Sequence, residues 1–166
     1  MPVNLQTLCQ EVCALGKAVG AFIKQERAVF STERVETKGK HDFVSYVDKT
    51  SEQKLVAGLS ALLPESGFIA EEGTSTKKGE VYNWIVDPLD GTTNFIHGIP
   101  CFSISIALMR KDELVMGMIY EINAGECFYA WENSKAYLNG NEISVSKAPA
   151  LADSLIATGF PYYDYT

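Results

Sequence analysis

No stretch of this sequence approaches the roughly 18 uninterrupted apolar residues that a membrane-spanning helix needs, so no membrane partner is expected. Positive charge is also scarce. Fourteen Lys and Arg stand against 21 Asp and Glu, a net charge of −7, and the acid excess falls beyond residue 50. With no basic stripe to neutralise a phosphate backbone, nucleic acid held in a groove is not an expected partner. An acidic chain that handles a phosphate must take positive charge from elsewhere, and bound metal is the usual source. Cysteine is limited to Cys9, Cys13, Cys101 and Cys127, which read as reduced, buried thiols rather than a disulfide frame. Cys9 and Cys13 share a helix face, but two thiols do not make a metal site, and packing is the reading. The first 17 residues mix Gln6, Gln10 and Glu11 into apolar positions and show no basic stretch followed by an apolar block. No secretory signal is therefore expected, and the cytoplasm is the expected compartment.

What is present suits a globular domain: 166 residues, 46% of them hydrophobic and 21% charged. Leu5, Leu8, Val12, Leu15, Val19, Phe22 and Ile23 recur at steps of three and four, which predicts a long amphipathic helix from Leu5 to about Val29. Gly16 and Gly20 weaken its propensity but let a neighbour approach closely. Val35 to Thr37 is a short strand candidate, followed by a Lys38-Gly39-Lys40 turn and by Phe43, Val44 and Tyr46 leading into Asp48. A second helix is expected from Thr50 or Ser51, with Leu55, Val56, Leu59, Leu62 and Leu63 on one side, stopped by Pro64 and Gly67.

The period then changes. Phe68-Ile69-Ala70 reads as a short buried strand ending at Glu71-Glu72, Thr74 to Glu80 as a mobile loop, and Trp84-Ile85-Val86 as a buried strand ending at Asp87. Phe102–Leu108, Leu114–Tyr120 and Glu126–Trp131 follow as strands separated by hairpin-length polar breaks, and Asn139-Gly140-Asn141 is a further turn. The class is α+β: an antiparallel meander packed with two long helices. After an Ala148-Pro149-Ala150 linker, Ser154 to Thr158 is expected to form a last strand.

The chemistry concentrates in Trp84-Ile85-Val86-Asp87-Pro88-Leu89-Asp90-Gly91-Thr92-Thr93-Asn94-Phe95. A buried strand runs into a turn that carries two carboxylates three residues apart and is stiffened by Pro88. The Leu89 carbonyl can join those carboxylates in an all-oxygen cluster suited to Mg²⁺ or Mn²⁺ rather than zinc. Gly91 lets a ligand approach the backbone, and Thr92-Thr93-Asn94 look like the start of a short helix, whose free N–H groups favour phosphate. Glu71 and Glu72 offer the same ligand type. If the Phe68 and Trp84 strands are neighbours, both acidic clusters emerge at one edge, where two metals about 3.5–4 Å apart could bridge a phosphate ester. Taken singly, Asp-Pro and Asp-Gly are common turn dipeptides and Glu71-Glu72 a solvated loop edge. Their combination with a Gly-Thr-Thr helix start goes beyond what a hairpin turn requires.

This signature resembles that of the inositol monophosphatase family of Mg²⁺-dependent, lithium-sensitive phosphomonoesterases. Ala70-Glu71-Glu72-Gly73 and Asp42-Phe43-Val44-Ser45-Tyr46-Val47-Asp48 are similar to two further family segments, with Phe43 and Ser45 as mild departures. The resemblance implies the N-terminal half of a layered sugar-phosphatase fold. Glu71, Asp87 and the Leu89 carbonyl would hold one metal, Asp87 and Asp90 a second, and Glu71 would touch a weaker third. Gly91 and Thr92, with Asp90, would bind substrate, while Thr92 with Asp48 or Glu71 would orient the attacking water. It also implies direct in-line displacement by metal-activated water on a small phosphorylated polyol or sugar, inositol 1-phosphate above all, by a homodimer. Related families share the acidic motif, which leaves 3′-phosphoadenosine 5′-phosphate and fructose 1,6-bisphosphate as alternative substrates. Lys38 and Lys40 would lie in a loop over the site, whereas His41 and His97 read as structural or surface groups. Residues 1–150 would form the metal-binding domain and 151–166 the first strand of a second α/β domain. Family members run further, and that further part supplies another metal-binding Asp with no counterpart in residues 159–166. Two other readings remain: a metal- or phosphate-binding chain without useful turnover, and a dimerising scaffold around Leu155, Phe160 and Tyr162.

Overall fold

In the computed structural model, which describes residues 3–30, 35–39 and 42–157, Asn4 caps helix α1 (Leu5–Ala28) and its side chain accepts the Thr7 N–H at 3.1 Å. The three-and-four spacing buries Leu8, Val12, Val19 and Ile23 on one face, together with Cys9 and Cys13. A methyl group on Gly16 would overlap Met118, and one on Gly20 would overlap Tyr120, so these two positions set how closely α1 approaches the sheet. Cys9, Cys13 and Cys127 are free and buried as expected; Cys101 is free but exposed, because it follows the turn after a short helix rather than lying within a strand. No described helix is long and apolar enough to cross a membrane.

Strands β1 (Val35–Gly39) and β2 (Asp42–Ser45) form a small antiparallel ribbon. Lys38 falls in β1, while Lys40 and His41 lie outside the described residues. Helix α2 runs over Tyr46–Leu62 and so begins several residues before the expected Thr50 or Ser51. Its start is fixed by a capping box: the Val47 N–H donates to Ser45 Oγ at 3.2 Å, and the Ser45 N–H donates back to Asp48 Oδ2 at 2.9 Å. Two orphan N–H groups are satisfied reciprocally, which is why Asp48 sits in the first helical turn and not in a strand-to-helix connection.

The main sheet has seven strands in the order β3-β4-β5-β6-β7-β8-β9: Gly67–Ala70, Tyr82–Asp90, Ser103–Arg110, Glu113–Glu121, Glu126–Trp131, Ala136–Leu138 and Asn141–Ile143. From β4 onward it is the expected antiparallel meander, closed at its far end by Asn139 and Gly140, both at positive φ. The β3–β4 pair is parallel, so the sheet is mixed. The crossover through the 71–81 segment returns the chain in the same direction, which a hairpin cannot do. Helices α1 and α2 cover one face, burying Trp84, Val86, Ile104, Ile106, Leu108 and Met118. Full burial of each such side chain contributes about 1.5–3 kcal/mol. The other face shows Ile85, Ser105, Ile119 and Phe128, with Ile69 54% and Ile119 48% exposed. Thus β3 is half-buried rather than fully buried.

Among the described residues, the expected last strand, Ser154 to Thr158, does not form. Leu151–Asp153 makes one turn of 3₁₀ helix, and residues 154–157 have no regular structure, with Leu155 fully exposed. No described strand edge pairs with them. Phe160 and Tyr162 lie outside the described residues.

Candidate functional site

The parallel register of β3 and β4 sets Ala70 opposite Val86. The ladder continues one step further, with the Glu71 N–H donating to the Val86 carbonyl at 3.3 Å. Glu71 therefore stands level with Asp87, on the strand face that also carries Ile69 and Ile85. The two acidic clusters do emerge at one edge, as the neighbour condition required.

Strand β4 does not end at Asp87 but continues to Asp90, with a register irregularity against β5. Asp87 pairs with Ser105 and Asp90 with Ser103, so Pro88 and Leu89 together oppose Ile104 alone. Side chains alternate along a strand, and carboxylates three residues apart would otherwise point to opposite faces. The extra residue resets that alternation: Leu89 turns into the core (1% exposed) and Asp90 emerges on the exposed side with Asp87. Pro88 has no N–H to lose at this break. The expected turn is in fact a bulge, and it places both carboxylates on one side.

Asp87 lines a groove of about 350 Å³ with Glu71, Ile69, Ile85, Ser105 and Ala107. Burial, then the neighbouring Glu71 charge and hydrogen bond, then Asp90, push the Asp87 carboxyl up to about 8, against a small opposing effect of the Leu89 N–H. That N–H donates to Asp87 Oδ1 at 3.1 Å. Glu71 and Asp87 are thus in contact, and Asp90 is near enough to act on Asp87. As placed, no three His, Cys, Asp or Glu side chains among the described residues close into a ready metal cluster. The donor set nevertheless suits a hard divalent cation. It is all oxygen, it crowds negative charge on a half-buried carboxyl, and the Leu89 carbonyl lies at the bulge beside it.

Gly91 follows at φ +92°, and a Cβ there would lie 3.0 Å from the Cys101 carbonyl oxygen, so this position needs glycine for the backbone it adopts. It leads into the short helix α3 (Thr92–His97). Thr92 Oγ1 lies 2.8 Å from Asp48 Oδ1 and 3.0 Å from the Leu89 carbonyl oxygen. One hydroxyl proton cannot serve both acceptors at once. Asp48, 2% exposed, is held on its other oxygen by the Ser45 N–H and hydroxyl. The structure thereby joins Asp48, Thr92 and Leu89 in one network beside the Glu71–Asp87 pair. His97 is exposed in the last turn of α3, away from these contacts.

Sequence reasoning passed over Glu52. It is fully buried, accepting the Glu72 N–H at 2.6 Å and the Thr74 N–H at 2.7 Å. The available signal was a charged residue on the buried stripe of α2, one turn after Asp48 and one turn before Leu55.

Comparison with known proteins places this arrangement. The chain is 33% identical over 158 residues to a fructose-1,6-bisphosphatase/inositol-1-monophosphatase of Aquifex aeolicus, covering 95% of this chain and 60% of that protein. It is 40% identical over 163 residues to the Nus factor SuhB of Pseudomonas aeruginosa, covering 96% and 60%. A solved IMPase/NADP phosphatase complexed with Mg²⁺ and phosphate superimposes with a TM-score of 0.76 at 26% identity, over 90% of this chain and 56% of that one. The chain therefore spans about three-fifths of the length of these curated relatives. With the bulged acidic strand, the parallel Glu71 edge and a match over residues 4–164 all agreeing, the chain belongs to the inositol monophosphatase family.

Proposed function

We propose that this chain carries the cation- and phosphate-binding part of a Mg²⁺-dependent phosphomonoesterase. The observation that carries the reading is the contact between Glu71 and Asp87 at the aligned ends of two parallel strands, with Asp90 brought to the same side by the bulge. Glu71, Asp87, Asp90 and the Leu89 carbonyl would hold two or three Mg²⁺ ions, with Mn²⁺ as a substitute of the same ligand preference. Such ions, when bound, neutralise charge on a transferring phosphoryl group and make water a better nucleophile at neutral pH. The Mg²⁺ and phosphate bound by the related IMPase/NADP phosphatase support that assignment.

This chain's own geometry supports the remaining roles. When Thr92 donates its proton to Asp48, its oxygen lone pairs are left to accept from a water, and the Leu89 carbonyl is released to serve a cation. Asp48 thus fixes the orientation of the Thr92 hydroxyl, and Thr92 orients the nucleophile for in-line attack. The Gly91 backbone and the Thr92 hydroxyl would hold the substrate phosphate. Residues 1–150 form the phosphatase unit in this reading. Self-association as a homodimer belongs to the same reading.

A small phosphorylated polyol, inositol 1-phosphate, is the proposed substrate. The double name of the Aquifex relative favours fructose 1,6-bisphosphate as the alternative to test, beside 3′-phosphoadenosine 5′-phosphate. Phosphate release from these three compounds should require Mg²⁺ and disappear in Asp90→Asn. Release that persists in a chelator would contradict the proposal.

A further inference from the structure

Among the buried groups outside the Glu71, Asp87, Asp90, Asp48 and Thr92 network, the Glu52 carboxylate is the most constrained. Its side chain is 0% exposed, and its two oxygens accept backbone N–H groups on either side of Gly73, from Glu72 at 2.6 Å and from Thr74 at 2.7 Å. Partners 20 and 22 residues away in sequence make this a tertiary clamp and not a local cap. A carboxylate is taken wholly out of water only when its oxygens are satisfied, and these two bonds have the length of charge-assisted ones. The clamped segment is the turn that follows Glu71: Gly73 sits there at φ +72°, and its N–H donates to the Ala70 carbonyl at 3.3 Å.

We infer that Glu52 is a positioning residue that anchors the 72–74 turn so that Glu71 faces Asp87. Strand β3 ends at Ala70, so Glu71 lies just past the regular ladder, its N–H reaching the Val86 carbonyl of β4 by a long bond of 3.3 Å. The bond from the next residue's N–H to Glu52 further restrains that backbone. The clamp also shares a helix with the other half of the site. Asp48 and Glu52 are i and i+4 on α2 and both buried, so they lie one above the other on the same face. Asp48 reaches Thr92, and Glu52 reaches the Glu72–Thr74 turn. One turn of α2 thereby sets the spacing between the hydroxyl network and the Glu71 side.

The inference rests on the reading of Glu71 as a cation ligand, and its test separates the two. Mn²⁺ binding to the chain is followed by electron paramagnetic resonance, without substrate, for wild type, Glu71→Gln and Glu52→Gln. The Glu52→Gln substitution keeps the volume but opposes one backbone N–H with an NH₂ group. It should weaken Mn²⁺ binding about 10- to 100-fold, in the range seen when groups that orient metal ligands are lost. Amide exchange should accelerate at residues 72 and 74 while the core of α2 stays protected. Glu52→Asp, which keeps the charge but withdraws it by about one carbon–carbon bond, about 1.5 Å, gives the same comparison should the first variant fail to fold. Either variant, if folded and less stable yet binding Mn²⁺ like wild type, would overturn the inference while Glu71→Gln still abolishes binding. No saturable Mn²⁺ binding by wild type, or undiminished binding by Glu71→Gln, would overturn the underlying reading of the site and the inference with it.

Discussion

Asp87 is the residue at which structure and chemistry are most tightly linked. Its carboxyl is held up to about 8, against an ordinary 3.8, by burial and by the carboxyl groups of Glu71 and Asp90. Between about pH 4 and pH 8 the folded, metal-free chain therefore keeps a proton that the unfolded chain has released. Folding stability in a chelator should fall as pH rises through that window. Asp87→Asn should flatten the slope, and Mg²⁺ should suppress it by supplying the missing positive charge. Urea unfolding at a series of pH values measures this, and stability that rises across the window would refute it. Thr92→Val, which leaves the buried Asp48 one hydrogen bond short, should lower stability by about 1–3 kcal/mol in the same assay.

Among the elements, the bulge in β4 and the close contact of α1 with the sheet carry the main positional information. Gly91→Ala places a side chain at φ +92° against the Cys101 carbonyl and should destabilise by about 1–2 kcal/mol before any repacking. Gly16→Val, driven into Met118, should lose about 1–3 kcal/mol by overpacking. Chemical denaturation midpoints decide both. Helix α1 was legible because its apolar residues recur over many turns. The hairpins were legible from polar breaks such as Asn139-Gly140. The start of α2 was missed although Ser45-Tyr46-Val47-Asp48 spells a capping box, because Phe43 and Val44 before it read as a strand running on to Asp48. The β4 bulge left no period to read: two acids three residues apart look alike in a turn and in a bulged strand. Glu52 was hidden for another reason, since its partners lie on a different element and no local pattern announces them.

For the molecule as a whole, one sheet face is sealed by two helices while the other presents the row Asp87, Ser105, Ile119 and Phe128, so the acidic edge opens onto the uncovered side. The α+β class could be read from the sequence, and the shared acidic edge only on the condition that the Phe68 and Trp84 strands are neighbours. The parallel β3–β4 pair could not, because the crossover through 71–81 has no helix to betray it. A cation bound only by the folded chain must stabilise it, by about 2.7 kcal/mol at a hundredfold excess over its dissociation constant. For a domain of this size that is a rise of about 5–10 °C in Tm, reversed by chelation and absent in Asp87→Asn. The most direct measurement is diffraction from crystals of this chain soaked in Mn²⁺ and recorded above the manganese absorption edge. An anomalous peak bounded by the Glu71 and Asp87 carboxylates and the Leu89 carbonyl is the predicted result. A map with no peak there, with the Glu71 and Asp87 carboxylates still in contact, would contradict the assignment of this edge as a cation site.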